Sequence, residues 1–262
     1  MNRLSTAVLL LAVFIPALFF APAVLWALLI ALVAGAAAFE WARISAFPSF
    51  LPLMYAIGMG VLAVIIYLMP QQAGAMLVLY AMAAVFWGLV APLWLAGRWH
   101  GTGFFVRALV GTLIILPTWA AIVALREHSP LLLLGVMALV WIADSAAYFA
   151  GRRFGRHKLA PGISPGKSWE GVAGAALALV LYASAISAAI HGLRVPGALL
   201  LAAALLYFSI LGDLFESWMK RVAGVKDSGT LLPGHGGVLD RIDALCAALP
   251  IAAGILYFAH WI

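Results

Sequence analysis

LLYFSILGDLFESWMKR, residues 205–221, is an apolar run that ends in charge. Asp213, Glu216 and Lys220 fall at i, i+3 and i+7, and Ser209 and Ser217 lie four residues either side of Asp213. On a helix these side chains share one face. A single acid in an apolar helix can serve as a helix–helix hydrogen bond. A stripe of two carboxylates, a hydroxyl and a lysine points instead to a hydrated cavity, because charge facing lipid is costly. The segment therefore predicts a membrane helix whose end lines a polar site, in a chain whose other spans bury that site.

The rest of the sequence agrees. Of 262 residues, 66% are hydrophobic and 9% charged, and the mean hydropathy is +1.13. That composition excludes a soluble domain of this size and predicts an all-α polytopic integral membrane protein. A span needs about 20 largely apolar residues. About nine transmembrane helices are expected, at 4–20, 22–39, 51–70, 73–97, 105–125, 131–150, 171–191, 197–219 and 241–261. The first two are short and separated only by Ala21-Pro22, so they read either as two spans or as a re-entrant pair. Ala21-Pro22-Ala23 faintly resembles a cleavage site, but an uncleaved first span is the better reading. No alternation of apolar and polar residues supports a β-barrel.

Charge orients the chain. Thirteen of the 15 Lys and Arg flank one set of alternating loops, and only Arg126 and Arg194 flank the other. The positive-inside rule places the first set and the N-terminus in the cytoplasm, and an odd number of spans places the C-terminus outside. The net charge of +6 is then a topology signal with attraction to anionic lipid, so no nucleic acid partner is expected. Cys246 is the single cysteine, which excludes internal disulfides and cysteine zinc clusters. Seven of the nine acids lie from Asp144 onward. The chain reads as one membrane domain, with 1–130 mainly scaffold and lipid-facing helices and 131–262 carrying the catalytic helices and loops.

Two polar loops stand out in the second half. KRVAGVKDSGTLLPGHGG (220–237) combines a charged turn at Lys226-Asp227 with Gly234-His235-Gly236-Gly237, whose backbone can turn several N–H groups toward an anion. Asp240 and Asp243 follow at i, i+3 on the last helix, close to Asp213 if the last two helices pack antiparallel. Carboxylates without a His or Cys cluster suit Mg²⁺. The other loop follows Asp144 and Tyr148 and reads GRRFGRHKLAPGISPGKSWEG (151–171). For Arg152, Arg153 and Arg156 the positive-inside rule is an equal explanation, whereas Lys167-Ser168 in a Pro/Gly-rich turn looks functional. Gly162–Ser168 imitates a phosphate-binding P-loop but has three residues between its glycines where that motif has four. Two basic, glycine-rich loops and several carboxylates at a membrane surface fit phosphate-bearing ligands, a divalent metal and a lipid.

The stretch Ser217, Lys220-Arg221, Lys226-Asp227, Pro233, His235-Gly236-Gly237, Asp240-Arg241 and Asp243 resembles the signature of the CDP-diacylglycerol synthases, or phosphatidate cytidylyltransferases. Asp144, Ala147-Tyr148, Gly151-Arg152, Lys158–Pro161, Ile163-Ser164-Pro165 and Trp169-Glu170-Gly171 resemble the family's upstream motif. Gly166-Lys167-Ser168 departs from it, since the family usually has Lys-Lys-Thr there. The resemblance covers about residues 140–245; the first half matches only as generic membrane helices.

The resemblance implies transfer of CMP from CTP to phosphatidic acid, giving CDP-diacylglycerol and pyrophosphate in phospholipid biosynthesis. It implies a Mg²⁺-dependent site facing the cytoplasm, with two divalent ions or one divalent ion plus K⁺, in a homodimer of the bacterial inner membrane. On that reading Asp213 and Asp240 are the first metal ligands, with Asp243 and Asp144 next. These four, with Lys226, form the catalytic set. Lys226, Arg221, Arg241 and Lys167 hold phosphates, and the His235-Gly236-Gly237 turn cradles one. Lys220, Ser164, Ser217 and Asp227 complete the substrate-binding set, with loop ordering as the alternative for the last two. A transporter, a CTP-dependent polyprenol kinase and a CDP-alcohol phosphotransferase are the rivals. The transporter would show matching broken helices in both halves, and the phosphotransferase's Asp-Gly-x-x-Ala-Arg motif is absent.

Overall fold

A computed structural model describes residues 3–69, 72–189, 194–232, 234 and 236–261. The chain folds as α1 (Arg3–Phe20), α2 (Ala23–Ile44), α3 (Leu51–Leu68), α4 (Gln72–Val85), a π-helical turn (Phe86–Val90), α5 (Ala91–Gly97), α6 (Phe104–His128), α7 (Pro130–Phe154), β1 (Lys158–Ala160), β2 (Ser164–Ser168), α8 (Trp169–Ala189), α9 (Val195–Val222) and α10 (Leu239–Phe258). Among the described residues, eight helices are long and apolar enough to cross a membrane, with α4 to α5 counting as one. The described apolar part of α1, Leu11–Phe20, is shorter than a span. The structure therefore supplies eight of the nine expected spans and breaks the first two segments at Pro22. There Arg126 of α6 donates to Leu18 O (3.1 Å) and to Ala21 O, tying the C-terminal end of α1 to the core.

Lipid explains the outer surface. On α3, Leu53, Ile57, Val61 and Ile65 repeat every fourth residue and are all exposed, an apolar stripe that only hydrocarbon can cover favourably. The core lies at α6 and α10, whose spans are 72% and 67% buried against 17–44% for the other spans. Small residues allow the close approach: Ala244, Ala247, Ala248, Ala252 and Ala253 of α10 are all buried. The Thr118 hydroxyl of α6 lies 3.2 Å from Cys246 O of α10.

The π-turn has a local cause. Pro92 has no N–H to give to Gly88 O, and Ala91 N–H reaches back to Phe86 O instead. The turn presents Phe86 and Trp87 to Phe215 of α9, with ring centroids 5.4 and 5.7 Å away, and Trp94 of α5 adds a third ring at 5.7 Å. This aromatic nest fixes α9 one residue before Glu216. On the other side of α9, Gly212 meets α10 so closely that a Cβ there would lie 2.6 Å from Asp243 O and 3.1 Å from Ala247 Cβ. Gly212→Val is expected to cost about 1–3 kcal/mol through overpacking. It should also displace Asp213 from Asp243, so thermal stability and turnover fall together. An unchanged melting temperature would show that the contact has slack.

The expected loop at 151–170 contains a short antiparallel hairpin, β1–β2, with Lys158 opposite Ser168 and Ala160 opposite Ser164. Two strands alone are marginal, and outside bonds hold these. Glu170 accepts from the backbone N–H groups of Arg156 (3.1 Å) and His157 (3.2 Å) and pairs with His157 Nδ1 at 2.6 Å. Trp169 N–H donates to His157 O at 2.9 Å.

Candidate active site

Five elements, α7, the hairpin, α8, α9 and α10, converge on a cavity of about 690 Å³. From α7 come Asp144, Tyr148 and Arg152, at i, i+4 and i+8 on one helical face; from the hairpin come Lys158, Ser164 and Lys167. Ser209 and Asp213 project from α9, and Asp240 and Asp243 from α10. Asp213, Asp240 and Asp243, expected close together on the last two helices, line one polar cavity, and Asp144 and Lys167 line it too.

Within it, Asp213 and Asp240 are in different situations. Asp213 is open to the cavity, with its side chain 31% exposed. It pairs with Lys167 Nζ at 2.6 Å and accepts from Ser217 Oγ at 3.2 Å. Asp240 is enclosed, its side chain 4% exposed. Its Oδ1 accepts from Lys220 Nζ at 2.7 Å, and its Oδ2 accepts from the backbone N–H groups of Ser228 (2.9 Å) and Gly237 (2.8 Å). Lys220 also pairs with Glu216 of its own helix. Asp243 Oδ1 accepts from Ala244 N–H at 2.7 Å. Ser217 therefore orders Asp213, while Lys220 lies one step behind the cavity, joining α9 to α10.

No group of three or more His, Cys, Asp or Glu among the described residues stands close enough to hold a metal alone. Mg²⁺ ordinarily takes only one or two protein carboxylates, with water and substrate phosphate completing its octahedron. The hard-oxygen donors Asp144, Asp213 and Asp243 on one cavity fit that chemistry. Asp240 fits it less well, since its side chain is enclosed and held by Lys220 and two backbone N–H groups, whereas Asp213 is open to the cavity.

A second, more open cavity of about 1220 Å³ borders Ser228, Gly229, Thr230, Leu232, Gly234 and Gly236. It is lined by Arg43, Lys226, Asp227, Gly236 and Arg241. The residues expected to form one cluster are thus divided: Lys167 and the carboxylates line the first cavity, while Lys226, Asp227 and Arg241 line the second. The cavity of greater volume carries one acid, Asp227, and the smaller carries four, Asp144, Asp213, Asp240 and Asp243. Arg221 lines neither. Its Nε donates to Ile163 O at 3.3 Å and its Nη1 to Val225 O at 3.5 Å, so it fastens the hairpin to the loop. Gly234 and Gly236 adopt φ of +77° and +82°, and Leu232 N–H closes the turn onto Gly236 O at 3.0 Å. Only glycine adopts that backbone freely. His235 and Pro233 lie outside the described residues, as does any cradle made by His235.

Two residues lie outside the site set expected from sequence. Arg152 lines the first cavity, and its Nη1 donates to the Tyr148 phenolic hydroxyl at 3.2 Å; its eight-residue spacing from Asp144 was the available signal. Glu40, in the half read as scaffold, is 1% exposed and bonds to the 228–239 segment. An acid inside an apolar helix was the signal there.

A family model described as "Cytidylyltransferase family" matches residues 1–259. The chain is 45% identical to a phosphatidate cytidylyltransferase of Pseudomonas aeruginosa over 275 residues, 99% of this chain and 98% of that one. It is 36% identical to the phosphatidate cytidylyltransferase of Haemophilus influenzae over 285 residues, 98% of each. A third similar protein, the phosphatidate cytidylyltransferase of Brucella suis, is 43% identical over 176 residues, 64% of this chain and 60% of that one.

Proposed function

The chain belongs to the cytidylyltransferase family, and on that premise we propose that it converts CTP and phosphatidate to CDP-diacylglycerol and pyrophosphate. The observation that carries the reading is the cavity at one end of the bundle, where Asp144, Asp213 and Asp243 face Lys158, Lys167 and Arg152. Mixed charge of this kind can bind two polyanions and neutralise what develops between them.

A phosphatidate oxygen attacks the α-phosphorus of CTP, the α–β bridging P–O bond breaks, and pyrophosphate leaves with that electron pair. The nucleophile is already an anion, so no general base is needed. Lys167, Lys158 and Arg152 offset the phosphate charges. Asp213, Asp144 and Asp243 would hold Mg²⁺, which supplies charge neutralisation at the phosphates when bound. Lys226 and Arg241 serve the outer cavity, where a phosphate tail or departing pyrophosphate meets cations. Asp240, Lys220 and Glu216 hold the geometry. Lys and Arg distribution supports a site facing the cytoplasm, and the bacterial relatives support a bacterial inner membrane; K⁺ and a homodimer rest on the family resemblance alone.

The test is incubation of the purified protein with phosphatidate, Mg²⁺ and CTP labelled at the α or the γ phosphorus. Label from the α position is expected in the lipid phase, and γ label in water-soluble pyrophosphate, only when phosphatidate is present. Transfer of γ label to a lipid or polyprenol would make the protein a kinase and overturn the assignment.

A further inference from the structure

Glu40 stands outside both the proposed chemistry and the motifs that resemble the family. It lies near the end of α2, almost fully buried, and its carboxylate is spent on one distant segment. Oε2 accepts from Ser228 Oγ (3.0 Å) and from Leu239 N–H (2.8 Å); Oε1 accepts from Val238 N–H (3.0 Å). The loop is shaped to let the carboxylate in. A Cβ at Gly229 would lie 2.5 Å from Glu40 Oε1, and one at Gly237 would strike both Oε2 and Ser228 Oγ. The negative charge also sits at the first turn of α10, where the helix dipole favours it.

The post that carries Glu40 is rigid. Trp41 donates from Nε1 to Arg107 O at 2.8 Å, and Arg107 Nη1 donates to Ser45 O at 2.6 Å, pinning the end of α2 to α6. Trp41 also stacks on Phe215 of α9, with centroids 6.5 Å apart. The loop held by Glu40 is the one whose Ser228 and Gly237 N–H groups both donate to Asp240 Oδ2. Glu40 and Asp240 thus both hold this loop, whose Ser228, Gly229, Thr230, Leu232, Gly234 and Gly236 line the larger cavity, while Asp240 itself lines the smaller one.

We propose that Glu40 is a positioning residue for cytidylyl transfer: it holds the 228–239 loop and the start of α10 in place, and through them fixes Asp240 and the adjoining Asp243. The inference rests on the reaction proposed above. It needs the carboxylate's two acceptor oxygens and not merely its volume, and that separates positioning from packing. Glutamine has glutamate's shape but turns an N–H₂ toward donors; aspartate keeps both acceptors on a shorter stem.

The full-length protein in detergent, as wild type, Glu40→Gln, Glu40→Asp, Ser228→Ala and Glu40→Gln/Ser228→Ala, decides it. Two readouts are taken: kcat with phosphatidate and CTP, and the rate of tryptic cleavage after Lys226 relative to cleavage in the 152–158 segment. Glu40→Gln is expected to lower kcat at least about tenfold, the scale of a charge-assisted hydrogen bond, and to raise cleavage after Lys226 alone. Glu40→Asp should recover part of both. Ser228→Ala should have a smaller effect that disappears in the Glu40→Gln background, as expected for partners. Glu40→Gln outperforming Glu40→Asp, unchanged cleavage after Lys226, or equal increases at both segments would each overturn the proposal. If Glu40→Gln does not fold, Ser228→Ala with wild-type kcat and cleavage overturns it as well. A wild-type protein that makes no CDP-diacylglycerol would defeat the reaction, while the cleavage comparison would still judge the clamp.

Discussion

Asp213→Asn is expected to reduce turnover by about 10²–10³-fold, the range for removing one preorganised charge from a transition-state site, with the melting temperature nearly unchanged. The side chain faces the cavity, and Lys167 Nζ sits 2.6 Å from its Oδ2. Asparagine keeps the shape and can still accept from Ser217, whose hydroxyl is 3.2 Å from Oδ1. What it removes is one negative charge, and with it the balance for Lys167 and for any cation arriving with the triphosphate. Because the group is partly open, its neutralisation leaves no buried orphan, so folding is spared. The residual activity should also require a higher Mg²⁺ concentration than wild type. Purified Asp213→Asn protein turning over near the wild-type rate would remove this residue from the chemistry, and an unchanged Mg²⁺ requirement would remove it from the metal.

The parts of this site that share a helical face were readable from sequence, and the parts that depend on loop path were not. Asp213 with Ser217 on α9, and Asp240 with Asp243 on α10, follow from spacing, and one loop joining two packed helices brings the pairs together. Arg241 shows the limit. It adjoins Asp240 in sequence but is rotated about 100° around α10, and it lines the other cavity. A reading by proximity along the chain merges what one helical step separates. Span ends were underestimated for a related reason. Glu40, Arg43, Arg152 and Lys220 mark the apolar limit, yet each is inside a helix, because a helix that has left the hydrocarbon keeps its backbone bonds in protein and water. The hairpin was invisible because strands of three and five residues containing Pro165 and Gly166 carry no period. Its bonds to Glu170 and Arg221, not its propensity, make it. Glu40 was passed over because the first half looked uniformly apolar, although a single acid in such a background is where polar function is most expensive to place.

Lys220→Met is expected to be the most destabilising single change at the site, by about 3–5 kcal/mol, the cost of removing one partner from a buried ion pair. The Lys220 side chain is 11% exposed, and its neighbours Glu216 and Asp240 are 5% and 4% exposed. Glu216 makes no hydrogen bond of good geometry and relies on Lys220 as its counter-ion. Without the ammonium, two carboxylates face each other away from water, and each must either stay charged at a desolvation cost or take up a proton. The variant should express poorly and melt well below wild type in detergent. Lys220→Met/Glu216→Gln should recover part of the loss, because one of the two stranded acids is then neutral, and that recovery separates charge from packing. A Lys220→Met protein as stable as wild type, or a double variant less stable than the single one, would show that the triad does not bear on the fold. Lys220 holds Asp240 Oδ1 as the loop holds Oδ2, so loss of the lysine loosens the same loop that Glu40 holds. Destabilisation should therefore reach the 228–239 segment before the aromatic nest around Phe215 gives way.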